Sequence, residues 1–174
     1  MRYGTLEVAP APHGLPASEE TALPDHQLWR RYAASDPSAS PPARPVPLRV
    51  LVIDDDPDAL ILLKARLEGT GRFVVSTADG GAAGLELARD IEPDVIVCDI
   101  YMPGMGGADV AAALAEDDQL RDVPLLFLSA LVKPDEIRAH GGRIGGWPMA
   151  SKEETIPSIV RRMDELLARS RRQR

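Results

Sequence analysis

The chain has only one cysteine, Cys98, so it can neither close an intramolecular disulfide nor present a cysteine-rich metal site. Aromatic residues make up 4% of its 174 residues, which leaves a core to be built mostly from aliphatic side chains. No apolar run approaches the roughly 18 residues of a membrane span, and no basic segment leads into an apolar stretch at the N-terminus. A reducing cytoplasm is the expected compartment. Positive charge is in deficit, with 20 Lys and Arg against 27 Asp and Glu and a formal net charge of -7. That balance argues against counterion-driven binding to nucleic acid or to an anionic membrane, and favours a site that collects a cation. Histidine is also scarce: His13 and His26 fall near the N-terminus and His140 stands alone, so a nitrogen-rich zinc site is not expected.

What is present divides at about residue 47. Residues 1–47 are broken by repeated prolines and end in the run Ser38-Ala39-Ser40-Pro41-Pro42-Ala43-Arg44-Pro45-Val46-Pro47, which has neither helical nor strand periodicity. This segment reads as a disordered or loosely docked arm, with Leu28-Trp29-Arg30-Arg31-Tyr32 as its one candidate docking element. From Leu48 onward short aliphatic runs appear at Leu48 to Ile53, Phe73 to Thr77, Val95 to Cys98 and Leu125 to Leu128, with a weaker fifth run near Trp147 to Ser151. The segments between them are long enough for crossover helices. Leu60, Leu63 and Leu67 predict a helix ending at Gly69, and Leu85, Ala88 and Ile91 predict another ending before Pro93. Ile156, Ile159, Val160, Met163, Leu166 and Leu167 mark the apolar stripe of a last helix. Strands apolar on both faces and alternating with helices imply an α/β fold, a doubly wound five-stranded parallel sheet covered on both sides.

Reactive side chains cluster where open parallel sheets gather them, at the carboxyl ends of strands. The first strand ends in Asp54-Asp55-Asp56, the third in Asp99, the fourth in Ser129, and the fifth just before Lys152. Two carboxylates about 4 Å apart repel by about 4 kcal/mol at an effective dielectric of about 20, so the pocket calls for a cation. An all-oxygen donor set suits magnesium. A carboxylate can also attack phosphorus to form an acyl phosphate, and Asp99, between a buried strand and the turn Met102-Pro103-Gly104-Met105-Gly106-Gly107, is placed to do so. Lys152 would then pair with phosphoryl oxygens and Ser129 would donate a hydrogen bond to one. Asp56, followed by Pro57, reads as a helix cap, Cys98 as packed core and His140 as solvent-facing.

These motifs jointly resemble the receiver domain of two-component response regulators, the CheY-like family, over about Leu48 to Ala168. The resemblance implies the flavodoxin-like strand order 2-1-3-4-5. It makes Asp99 the phosphoacceptor and Asp55 a direct Mg2+ ligand, with Asp54 assisting through water and the Tyr101 backbone carbonyl completing the set. Ser129 and Lys152 become the phosphoryl-binding residues. A sensor histidine kinase or phosphotransfer protein would supply the phosphoryl group. A downstream protein, or a second copy in a homodimer, would meet the surface formed by 133–168. Tyr101 and Leu131 fall where the family tunes the lifetime of the phosphorylated state.

Departures from the pattern fall late in the chain. Glu153 follows Lys152 where the family has proline, and Met149 stands where many receivers carry an aromatic switch residue, with Trp147 as a substitute two positions earlier. Lys133-Pro134 imitates the family's Lys-Pro pair, but it follows Ser129 too closely for an intervening helix and strand. Two other readings compete. One is a degenerate receiver acting as an interaction module. The other is a haloacid-dehalogenase-like phosphatase using Asp54-x-Asp56, which would need a further acidic pair and a cap domain. The arginines near the C-terminus read as cations that complement a helix dipole, and no DNA-binding output domain is expected after them.

Overall fold

The computed structural model describes residues 47–173. The arm expected over 1–47, with its candidate docking element, lies outside the described residues except for Pro47. The aliphatic runs form strands: β1 (Leu48–Ile53), β2 (Phe73–Ala78), β3 (Val95–Asp99) and β4 (Leu125–Ser129). They alternate with helices α1 (Pro57–Glu68), α2 (Gly81–Ile91) and α3 (Gly107–Glu116). A short α4 (Pro134–Ala139) leads into strands β5 (Arg143–Ile144) and β6 (Trp147–Ser151), and α5 (Ile156–Gln173) closes the described chain.

Strands β2, β1, β3, β4 and β6 lie side by side in that order, each parallel to its neighbours. Taking β6 as the fifth parallel strand, this is the expected 2-1-3-4-5 arrangement. The correction is a sixth strand: β5 adds an antiparallel edge, pairing Arg143 with Pro148 and Ile144 with Trp147. Its physical origin is the Gly145-Gly146 pair, whose φ angles of 59° and 87° make a two-residue turn that few other residues would tolerate.

Side chains alternate across the sheet and build two cores. Val50, Val52, Val97, Leu126 and Leu128 face one side, where Leu60 and Leu67 of α1 and Ile159, Val160, Met163 and Leu167 of α5 cover them. Leu51, Ile53, Ile96, Cys98 and Phe127 face the other, under Leu85 and Ala88 of α2, Val110 and Leu114 of α3, and Ile137 of α4. Burying each large aliphatic side chain contributes about 1.5–3 kcal/mol, which accounts for a stable domain with few aromatics.

Helix ends follow their sequence signals. Asp56 caps α1, its Oδ1 accepting from the backbone N–H of Asp58 at 2.9 Å and of Ala59 at 3.4 Å, and Pro57 occupies the first turn. Gly69 caps the other end. The end of α2 falls at Glu92, left-handed at φ 46°, immediately before Pro93. Gly107 opens α3 tight against the sheet: a Cβ there would sit 2.5 Å from the Asp99 carbonyl oxygen and 2.9 Å from Phe127 Cε1. Only glycine lets this helix start directly beneath the end of β3.

Candidate functional site

The parallel register delivers the acidic residues to one end of the sheet. In β1 and β3, Ile53 pairs with Cys98, so Asp54 and Asp99 each follow a buried pair and emerge together. Asp54 is 2% exposed and Asp99 5%, while Asp55 is exposed. One carboxylate oxygen from each of Asp54, Asp55 and Asp99 lies within 4.8 Å of the others. The sequence expectation that these three meet is met by the geometry.

Lys152, the first residue after β6, reaches across to them. Its Nζ lies 2.6 Å from Asp54 Oδ2 and 2.8 Å from Asp99 Oδ1. Its backbone N–H donates to the Ser129 carbonyl at 2.9 Å, which ties the β6–α5 loop to the end of β4. Burial pulls the Lys152 pKa down, but hydrogen bonds to and charges on Asp54 and Asp99 outweigh burial and raise it. The ammonium therefore stays charged, as ion pairing with two carboxylates requires. The second oxygens are also engaged: Asp54 Oδ1 accepts the Asp56 N–H at 3.1 Å, and Asp99 Oδ2 accepts the Tyr101 N–H at 2.8 Å.

Three carboxylates against one ammonium leave two negative charges, the complement of one divalent cation. The donors are hard oxygens, and each bonded oxygen retains a lone pair, so the set fits Mg2+ rather than a thiophilic metal. Asp54, Asp55 and Asp99 could hold it.

The remaining sequence candidates fall into place with some differences. Ser129 is fully buried at the end of β4, and its Oγ accepts the Leu131 N–H at 3.2 Å. Lys133, the competing lysine, caps the start of α4 and pairs instead with Glu153 at 2.6 Å. Glu153, standing in place of the family's proline, thus makes a contact of its own between the loops that follow β4 and β6. Among the described residues every peptide bond is trans. Met149 is 6% exposed and packs opposite Phe127 in the core, whereas Trp147 is 48% exposed at the far end of β6, its ring edge-on to Phe127 at 5.5 Å and 72°. Tyr101 and Leu131 are exposed at the pocket's mouth loops. Cys98 is fully buried and its thiol is pushed up to about 12, first by burial and then by the nearby Asp99 and Asp54 charges, so it is inert packing. His140 is exposed, with Nδ1 bonded at 2.8 Å to the Glu136 carbonyl at the end of α4.

Sequence reasoning missed Glu154. It is 9% exposed and accepts from Arg162 Nη2 at 3.1 Å and Nε at 3.2 Å, from the Ser158 hydroxyl, and from the Ser151 N–H at 3.3 Å. This network anchors the loop that carries Lys152. Its signal, an acidic residue four and eight positions before Ser158 and Arg162 on a helix face, was visible but not distinctive.

Comparison with known proteins agrees with this geometry. Residues 50–164 match the family model described as the response regulator receiver domain. The transcriptional regulatory protein PrrA of Mycobacterium leprae is 41% identical over 121 residues, covering 70% of this chain and 50% of that protein. The polar-differentiation response regulator DivK of Brucella anthropi is 32% identical over 116 residues, covering 66% of this chain and 92% of that protein. Among solved structures, the Francisella response regulator 1452 receiver domain superposes with a TM-score of 0.57 at 28% identity, covering 71% of this chain and 98% of that one. The chain spans about half the length of PrrA, and nearly the whole of DivK falls within it. With its fold, acidic pocket and bridging lysine in place, the chain belongs to the response regulator receiver domain family.

Proposed function

We propose that this receiver domain, beginning at Leu48, takes a phosphoryl group onto Asp99 from a histidine kinase or phosphotransfer protein and passes the signal on by protein contact. The observation that carries this reading is the placement of Lys152 between Asp54 and Asp99, with Asp55 alongside. In the transfer, an Asp99 carboxylate oxygen forms the new O–P bond while the P–N bond of a donor phosphohistidine breaks, and the imidazole leaves with the electron pair. Mg2+ bound by Asp54, Asp55, Asp99 and the Tyr101 carbonyl would neutralise charge on the transferring group. Lys152 would turn from its carboxylates towards a phosphoryl oxygen, and the Ser129 hydroxyl would donate to another.

The donor would approach over α1, which starts beside Asp55 and exposes Ile61 and Leu62, at 68% and 50%. Output would leave through 133–168, to a downstream protein or to a second copy of the chain. Hydrolysis of the acyl phosphate would reset the domain, which confines its chemistry to its own side chain. The interaction-module reading draws on the buried aliphatic Met149 and on Glu153, which is committed to Lys133.

Incubation with Mg2+ and a small phosphodonor, followed by intact mass measurement, separates the readings. Wild type should gain one phosphoryl group and Asp99→Asn none. A folded wild-type protein of unchanged mass would support the interaction module, and sustained phosphate release from unrelated monoesters would support a phosphatase.

A further inference from the structure

The crossover helices differ in reach. α1, α2 and α3 have 12, 11 and 10 residues, but α4 has 6. At 1.5 Å per residue α4 spans about 9 Å, while a five-residue strand spans about 17 Å. α4 contributes a single buried side chain, Ile137, to the core on its face of the sheet. At the amino ends of β4 and β6 a groove of about 640 Å³ opens, lined by Leu114, Leu125 and Trp147 and by Arg121, Arg143 and Arg169. Asp122 also lines it, and Arg121 is paired with Asp118. Among the described residues neither Arg143 nor Arg169 makes an ion pair, although Arg143 bonds the Gly146 carbonyl.

We infer that this groove at the amino end of the sheet docks an acidic amphipathic segment of a partner protein, with an apolar side chain on Trp147 and carboxylates on Arg143 and Arg169. A half-exposed tryptophan between arginines has the composition of a binding hot spot. Arginine forks match carboxylates in pairs, and Arg143 and Arg169 offer two of them to one groove on a chain of net charge -7. Nucleic acid fits less well, because the aliphatic lining suits the apolar face of an amphipathic segment and offers nothing to a sugar-phosphate backbone. Arg143 and Trp147 fall within 133–168, so the groove carries the proposed output surface on to the amino end of the sheet; it is formed without a phosphoryl group on Asp99, so docking there does not require one.

The full chain carrying Trp29→Phe leaves Trp147 as its sole indole. Titration with a labelled amphipathic peptide, glutamate on one face and leucine on the other, should saturate, shift Trp147 emission, and weaken with added salt. Arg143→Glu with Arg169→Glu, and separately Trp147→Ala, should each weaken peptide anisotropy binding about tenfold or more, and Asp99→Asn should leave it unchanged. No saturable binding overturns the inference. So does equal binding of a lysine-for-glutamate peptide, equal binding of a DNA duplex, or self-association that the same substitutions abolish.

Discussion

At the carboxyl end of the sheet Asp54 and Asp99 hold one ammonium with Asp55 alongside, whereas at the amino end three arginines line one groove with an indole and a few aliphatic side chains. The acidic end is assembled by strands whose buried pairs fix where each reactive group emerges. The basic end is assembled from the last turns of a helix, a hairpin and a loop. Strand ends set positions finely enough for bond making, while the looser amino end offers area and charge. The contrast predicts that substitutions at one end leave the other's activity intact.

The largest expected effect is on chemistry. Lys152→Ala should slow acyl phosphate formation by about 100-fold, the loss typical of one oriented charge donor, in a stopped assay with a small phosphodonor. Its peptide binding at the amino end should stay within error; a parallel loss there would erase the division between the two ends. Next is the packing beneath the acceptor. Gly107→Ala should cost about 1–3 kcal/mol in urea unfolding, because the new methyl meets the Asp99 carbonyl and Phe127. An unchanged midpoint would mean that α3 can move away freely.

Glu154→Gln should cost about 1–2 kcal/mol at pH 7 by weakening a buried, multiply bonded carboxylate. Burial alone would raise the Glu154 pKa, but hydrogen bonds from Arg162, Ser158 and Ser151 and the Arg162 charge hold it below the ordinary value. A carboxyl lowered in the fold stabilises fully above its unfolded pKa of about 4.3, and that stabilisation is lost as pH falls through the folded value. The wild-type and Glu154→Gln unfolding curves should therefore converge as pH falls, and a difference that does not shrink in acid would contradict this. The smallest effect belongs to the metal. Without Mg2+, Asp55→Asn should raise stability by about 0.5–1 kcal/mol by removing repulsion, and it should forfeit most of the thermal upshift that millimolar Mg2+ gives wild type.

Much of the acidic end was legible in the sequence, since a strand of continuous aliphatic residues ending in aspartate says both that the strand is buried and where its last side chain emerges. Lys152 was legible by its distance from Ser129, which leaves room for a helix and a strand. The Lys133–Glu153 pair was not, because it joins residues 20 apart whose approach depends on how two loops fold. The β5 edge could have been found from Ile144-Gly145-Gly146-Trp147, a hairpin signal outweighed by the search for longer strands. The amino-end groove had no signature at all. Arg121, Arg143 and Arg169 are separated by more than twenty residues each, and only the folded chain brings them to one groove.

The ammonium shared by Asp54 and Asp99 has a consequence for the protein's working life. In the proposed phosphotransfer, metal, phosphoryl group and donor would come and go, each departure leaving bare carboxylates behind in a buried site. A lysine already seated between Asp54 and Asp99 offsets their mutual repulsion in the emptied site. The domain would then wait, fully folded, between one signalling cycle and the next.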